Sequence, residues 1–364
     1  MLSPIFKPVR FADLPGWAED DPFPAFVAFR RSAFHVLEKP YRSGSLGIHL
    51  DALEPVFADS RETIVENATE ARQFFEKWFV PCLIVSGQDG QGFVTSYYEP
   101  EVMASPVWTE SHRFPLLSRP ADLVDIDDSN RPADLDPYHA FARNDRGRLI
   151  EYYDRKAIET GALAERGLEI AFVEDPVDAF FIHVQGAARL NMTAGSKKRI
   201  TYAAKSGHRF TGPGGILVSM GEIAADHISM QAIRCWFASH PERVDEILWQ
   251  NRSYIFFREA PVDDPHMGPV AAAKVPLTAG RSVAVDRLLH TFGTPFYIHA
   301  ENLTSFDSRP FRRLMIAQDT GSAILGAARG DLFAGSGDEA GMIAGAVRHA
   351  ADFYTLVPRS LLGH

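Results

Sequence analysis

Three aspartates beside short apolar runs are the residues of this chain best placed to do chemistry. Val283-Ala284-Val285 leads into Asp286, and Leu314-Met315-Ile316-Ala317-Gln318 leads into Asp319-Thr320-Gly321. Gly330-Asp331 stands directly before Leu332-Phe333. Glycines and small residues follow, as where a backbone must bend or approach a ligand closely. A carboxyl wrapped in apolar side chains is held protonated by desolvation, the state that serves a general acid. Leu332 and Phe333, packed around Asp331, would do this. The competing role for each aspartate is a turn cap. Asp319, ahead of Thr-Gly, has the sequence to accept backbone N–H bonds.

The rest of the chain must hold these carboxyls in place. Apolar residues recur at helical spacing from Phe23 to Leu37, ended by Pro40. Residues 61–79 read as an amphipathic helix with Ile64, Ala68, Ala71, Phe75 and Trp78 on one stripe. Leu83-Ile84-Val85 and the β-rich Gly92–Tyr98 predict a hairpin across a turn at residues 87–92, stopped by Pro100. Residues 105–150, rich in Pro, Asp and Arg, read as long loops. Gly167–Phe172 and Ala179–Gln185 read as strands, and Lys198–Tyr202 pairs with Ala188–Leu190 across Thr193–Ser196. Helices are expected over Gln231–His240, just after Pro241 and over residues 338–350. Strands are expected at Tyr254–Arg258, along residues 274–335 and at Asp352–Val357. Short strands without sustained strand–helix alternation favour a mainly β protein built on a small barrel.

Composition removes several classes. With 364 residues the prior is about two domains. The content is 46% hydrophobic and 23% charged, ordinary for a globular protein, and the net charge of −10 demotes nucleic-acid binding. No apolar run reaches the length of a membrane span, and Met1–Pro8 shows no charged region followed by an apolar one and no lipid-bearing cysteine. Cys82 and Cys235 sit in apolar runs and read as buried free thiols, with a disulfide between them as the alternative. No His/Cys/Asp set at ligand spacing is legible. Asp263, Asp264 and His266 share one short loop and read as solvated charges.

Several of these stretches, in this order, resemble the membrane-bound lytic murein transglycosylase A family with its C-terminal three-aspartate domain. They are Ser96-Tyr97-Tyr98-Glu99-Pro100, His183-Val184-Gln185-Gly186, Tyr202 to His208, Val283–Asp286, Gly293-Thr294-Pro295, Ala317–Gly321 and Gly330–Phe333. The resemblance runs from about residue 90 to the end. It departs from the family's common residues at Ala187-Ala188, Ser206 and His290-Thr291.

The resemblance implies a mainly β fold: a six-stranded double-psi β-barrel with peripheral helices, formed by residues 1–98 and 227–364. A β-rich substrate-binding domain, residues 99–226, would be inserted in it, with a groove between the two for a glycan. It implies cleavage of peptidoglycan strands at the β-1,4 bond between N-acetylmuramic acid and N-acetylglucosamine, from chain ends, leaving 1,6-anhydro-muramyl ends. Asp331 would be the single acid and base, with Asp319 beside it. Tyr98, Glu99, Gln185, Gly186, Tyr202, Gly207, His208, Asp286, Thr320 and Gly321 would bind or orient the sugar. No metal or cofactor and no nucleic acid is implied. The expected protein is a monomer in the periplasm or associated with the outer membrane. Two rivals remain: a hydrolase on a barwin- or endoglucanase-like barrel, marked by a second carboxylate within about 10 Å of Asp331, and a non-catalytic glycan-binding module.

Overall fold

The computed structural model describes residues 2–85, 91–261, 264 and 266–363. The turn expected at residues 87–92 and Asp263 of the acidic loop fall largely outside them. The chain separates into two compact units, Met1–Tyr98 with Asp264–His364, and Glu99–Asp263. Both are mainly β with accompanying helices.

In the first unit an eight-stranded sheet runs in the order Phe6–Pro8, Phe79–Ile84, Arg348–Pro358, Pro295–Ala300, Phe311–Asp319, Ser282–Val285, Arg329–Ser336 and Gly92–Glu99. Its last member pairs a second time, with Arg348–Pro358, from Arg348↔Thr95 to Ala351↔Gly92. Among the described residues the expected hairpin is therefore absent as a pairing. Phe79–Ile84 and Gly92–Glu99 each pair with the closing strand Arg348–Pro358. Residues 1–20 also contribute a strand, Phe6–Pro8.

Helix Phe23–Glu38 agrees with its periodicity. The helix expected over 61–79 divides. Leu50–Glu62 is one helix and Ala68–Trp78 another, the second capped where the Asn67 side chain accepts from Glu70 N. Ile64 lies in the break and is 78% exposed, so it leaves the apolar stripe. Phe26, Phe29, Phe57, Phe74, Phe75 and Phe79 form the aromatic centre of this core, with Phe29 and Phe57 ring centroids 4.9 Å apart. Two polar anchors fix the strand that carries Asp319. Gln318, fully buried, donates to Ala28 O (2.8 Å) and Ser32 Oγ (2.9 Å) of the first helix and accepts from Ser282 Oγ (2.6 Å). Asp20 accepts Leu314 N and both terminal nitrogens of Arg281 (3.0 and 2.7 Å). Buried polar groups satisfied in this way set register more sharply than apolar contacts do.

The second unit holds a four-stranded sheet, ordered Ile255–Ala260, Lys197–Lys205, Ala187–Met192 and Glu101–Ala104. The pairing of Ala188 with Ile200 and Leu190 with Lys198 agrees with the expected hairpin. Residues 105–150 are not simply loops. Phe114–Leu117 pairs with Glu169–Val173, and Leu123–Asp125, Phe141–Asp145 and Arg148–Ile150 form a small sheet.

Ala179–Gln185, read as a strand, is the body of helix Pro176–Gln185. Asp175 accepts Val177 N as its cap, Pro176 opens it, and Gly186 at φ +76° closes it. Residues 227–263, expected in the first unit, belong to the second. Ile255–Ala260 extends its sheet, and Trp236, Phe237, Ile247 and Leu248 share a core with Phe180, Phe181 and Leu217. Cys82 is buried, but Cys235 is exposed; both are free.

Candidate active site

The carboxyls of the first unit are ordered by one short strand. Ala284 of Ser282–Val285 pairs with Asp319 on one side and with Asp331 on the other. The two aspartates therefore stand two strands apart at one level, about 10 Å between Cα atoms.

Asp331 is partly exposed, between buried Gly330 and Leu332. Thr95 Oγ1 donates to its Oδ1. Arg329 Nη2 donates to that same Thr95 Oγ1 at 2.7 Å, which commits the hydroxyl proton to the carboxyl. Arg329 Nη1 is spent on the Gly330 carbonyl. Desolvation pushes the Asp331 carboxyl up to about 6; the Thr95 hydrogen bond and the Arg329 charge oppose this, and the Asp319 charge adds to it. With Oδ1 occupied as an acceptor, Oδ2 is the atom that holds a proton to give.

Asp319 is anchored differently. Its Oδ1 accepts Thr320 N (2.9 Å) and Ala272 N (3.2 Å), and its Oδ2 accepts Tyr97 Oη (2.8 Å). Burial raises its pKa too, against these three hydrogen bonds. Thr320 Oγ1 reaches back to Val285 O (2.8 Å), and Gly321 lies exposed beyond it. Asp286, 7% exposed, accepts Leu288 N (3.1 Å) and Gly326 N (2.9 Å) and so ties together two loops.

The remaining candidates fall into two sets. Tyr98 is 8% exposed, its ring against Gly341, where a Cβ would come within 2.9 Å of it. Glu99 is fully buried and ion-paired to Arg199 Nε (2.7 Å) and Arg189 Nε (2.8 Å). His208, 2% exposed, bonds through Nε2 to Tyr152 O (2.8 Å). Gly207, at φ +93°, lies against Phe141 O and His139. These four are built into packing. In contrast, Gln185, Gly186 and Tyr202 come together on the second unit, where Tyr202 N donates to Gly186 O (2.7 Å) and Tyr202 is 42% exposed.

Sequence reasoning passed over Thr95, Tyr97 and Arg329. The signal was strand alternation: side chains at i and i+2 share a face. Phe93, Thr95 and Tyr97 are one face of Gly92–Glu99. Tyr97 packs on Phe333 (centroids 5.4 Å) and Phe93 lies under Arg329. Tyr98, the tyrosine singled out, is on the other face.

In this mainly β chain a raised, partly accessible carboxyl stands beside a second, anchored one, an arrangement able to do general acid–base chemistry. Comparison with known proteins specifies the class. The MltA-specific insert domain matches residues 93–258 and the 3D domain matches residues 281–357. The chain is 32% identical over 282 residues to membrane-bound lytic murein transglycosylase A of Escherichia coli K12, covering 75% of this chain and 68% of that one. The crystal structure of a membrane-bound lytic murein transglycosylase from Agrobacterium tumefaciens superposes with a TM-score of 0.92 at 52% identity, over 98% of each chain. That of Escherichia coli MltA with bound chitohexaose superposes at 0.72 with 26% identity, over 98% of this chain and 95% of the other. The chain belongs to the MltA family of membrane-bound lytic murein transglycosylases.

Proposed function

We propose that this protein is a lytic transglycosylase of peptidoglycan. It cleaves the β-1,4 bond between N-acetylmuramic acid and N-acetylglucosamine and leaves a 1,6-anhydro-muramyl end. Family membership supports the substrate class, and the chitohexaose bound by a relative supports a site for β-1,4-linked amino sugars. The return of the Gly92–Glu99 strand onto Arg348–Pro358 supports a closed barrel of six strands, which we read as double-psi. Among the described residues no helix is long and apolar enough to cross a membrane. We place the protein's work in the cell envelope, where its substrate is.

The observation that carries the mechanism is the contrast between the two carboxyls. Asp331, with its pKa raised to about 6 and a free oxygen, donates its proton to the leaving O4 as the bond to C1 of the muramyl unit breaks. Asp319 has three donors on its two oxygens and does not present water to the opposite sugar face. The substrate's own 6-hydroxyl is then the nearest nucleophile. Its attack on C1 is intramolecular and gains from effective molarity. Asp331, now a carboxylate, takes the proton that this hydroxyl releases, so one group serves as acid and then as base.

One observation favours the rival hydrolase: Asp319 and Asp331 flank the same residue two strands apart, a separation that suits water between paired carboxyls. Digestion of purified murein sacculi in ¹⁸O-labelled water separates the two. Unlabelled anhydro ends, resistant to borohydride, are expected. Labelled, reducible muramic ends would establish hydrolysis instead.

A further inference from the structure

We propose that His139, Glu151 and His208 form a binding site for a divalent cation of the zinc class within Glu99–Asp263. One donor atom from each lies within 4.8 Å of the other two. No sequence motif announces this group, because its members come from three separate segments that only the fold brings together.

His139 points to a ligand most directly. It is 5% exposed, and neither Nδ1 nor Nε2 has a hydrogen-bond partner. An imidazole buried with both nitrogens unsatisfied is costly, and a cation between it and its neighbours would remove that cost. The nearest carboxylate oxygen, Glu151 Oε1, is 3.9 Å from Nε2, too far for a hydrogen bond.

The tautomer of His208 suits a ligand. A carbonyl can only accept, so the 2.8 Å contact with Tyr152 O fixes the proton on Nε2 and leaves the lone pair on Nδ1. Metal-binding histidines are characteristically held in this way by a backbone carbonyl. Gly207 permits the approach of the two rings, whose centroids are 5.5 Å apart. A Cβ at Gly207 would fall 2.9 Å from His139 Cδ2.

Glu151, half exposed, supplies the charge and the freedom to close. The donors must draw in by about an ångström to reach zinc bond lengths. Its present partner, Arg252, is 3.5 Å away and keeps Asp154 at 3.3 Å when Glu151 turns to a metal. Two imidazoles and one carboxylate select zinc, cobalt or nickel over magnesium and calcium. Three protein ligands leave a position for water. The bound ion would fasten together the segments around residues 139, 151 and 208.

The test uses the full chain, stripped with a chelator and titrated with Zn²⁺ alone by calorimetry and with Co²⁺ by visible absorption. The expected result is one equivalent bound, a cobalt spectrum with nitrogen ligands, and a melting temperature raised by zinc. Glu151→Gln, an exposed change that leaves packing intact, should weaken binding at least about tenfold and abolish the thermal gain. His139→Gln should abolish both. Magnesium should neither compete nor stabilise. The proposal is overturned if no equivalent binds, if magnesium competes, or if Glu151→Gln binds as the parent does with the same cobalt spectrum. That last result would mean adventitious capture by surface histidines.

Discussion

Two carboxyls served by one strand, Gly92–Glu99, are treated in opposite ways by the two units. Glu99, in the second, is fully buried and faced by two guanidinium groups at 2.7 and 2.8 Å. Asp331, in the first, receives its hydrogen bond from Thr95 of that strand, and the nearby Arg329 gives its own donors to Thr95 and to a carbonyl. A carboxyl that touches two cations is an ion pair with a structural task. One that touches a hydroxyl, with the cation held one bond away, is left with a pKa near neutrality and a proton to spend. Desolvation raises the Asp331 carboxyl, and the interposed Thr95 keeps Arg329 from the direct contact that Glu99 has with its arginines.

The strongest way to break the comparison is Asp331→Asn. An amide keeps the shape and can accept from Thr95, but it has no proton to transfer. Turnover of murein sacculi should fall about 10²–10⁴-fold, with binding retained. Near-normal turnover would remove Asp331 from its role. The counterpart in the other unit is Glu99→Gln. It leaves Arg199, 4% exposed, and Arg189 without their anion. Breaking a buried pair from one side costs about 3–5 kcal/mol, so denaturant unfolding of the second unit should move by that order. A change under about 1 kcal/mol would show that the arginines reach water without cost.

This contrast was only half legible in the sequence. The aspartates stood out because each interrupts an apolar run, and residues at strand margins among glycines have few other reasons to be charged. The Glu99 ion pair is not legible, because its two arginine partners stand 90 and 100 residues downstream, beyond any local pattern. Ala179–Gln185 was read as a strand because Phe180-Phe181-Ile182 is apolar on all sides. In fact Phe180 and Phe181 are buried in a core shared with three other helices, while Ala179 and Ile182 are buried against strands, which hides helical periodicity. The signals that decide it, Asp175 and Pro176 before and Gly186 after, were present in the sequence. Tyr97 and Thr95 were readable from alternation once the partner of either was known.

A smaller effect sharpens the comparison through stability. The Asp331 pKa is raised from 3.8 to about 6, so the folded state holds a proton that the unfolded chain releases. That contribution is complete below about 3.8 and is lost as pH rises through about 6. At neutral pH the wild type therefore carries a desolvated anion that Asp331→Asn does not. The variant should be more stable above pH 6, by at most about 3 kcal/mol and by less because the carboxyl is partly exposed. The two proteins should converge near pH 4. Melting temperatures across that range would check the sign, and a variant less stable at pH 8 would contradict it.

The smallest expected effect tests the interposed residue itself. Thr95→Val keeps the β-branched shape on the strand and removes the hydroxyl that donates to Asp331 Oδ1. That hydrogen bond favours the ionised carboxyl and opposes desolvation, so its loss should move the Asp331 pKa above about 6. The alkaline limb of the rate profile should shift to higher pH with it. The maximal rate should nevertheless fall, by about tenfold, because the carboxylate formed on proton transfer has lost a charge-assisted bond. Thr95→Ser should restore both rate and profile, since a serine hydroxyl can donate the same hydrogen bond from the same position. A purely structural role would lower the rate without moving the limb, and Thr95→Ser would then be no better than Thr95→Ala. Arg329→Gln offers a graded version. It keeps a donor near Thr95 but removes the charge that also holds Asp331 down. Its limb should move in the same direction as that of Thr95→Val, with the hydroxyl still in place. If the two variants moved the limb in opposite directions, the relay from Arg329 through Thr95 to Asp331 would not be what sets the acid.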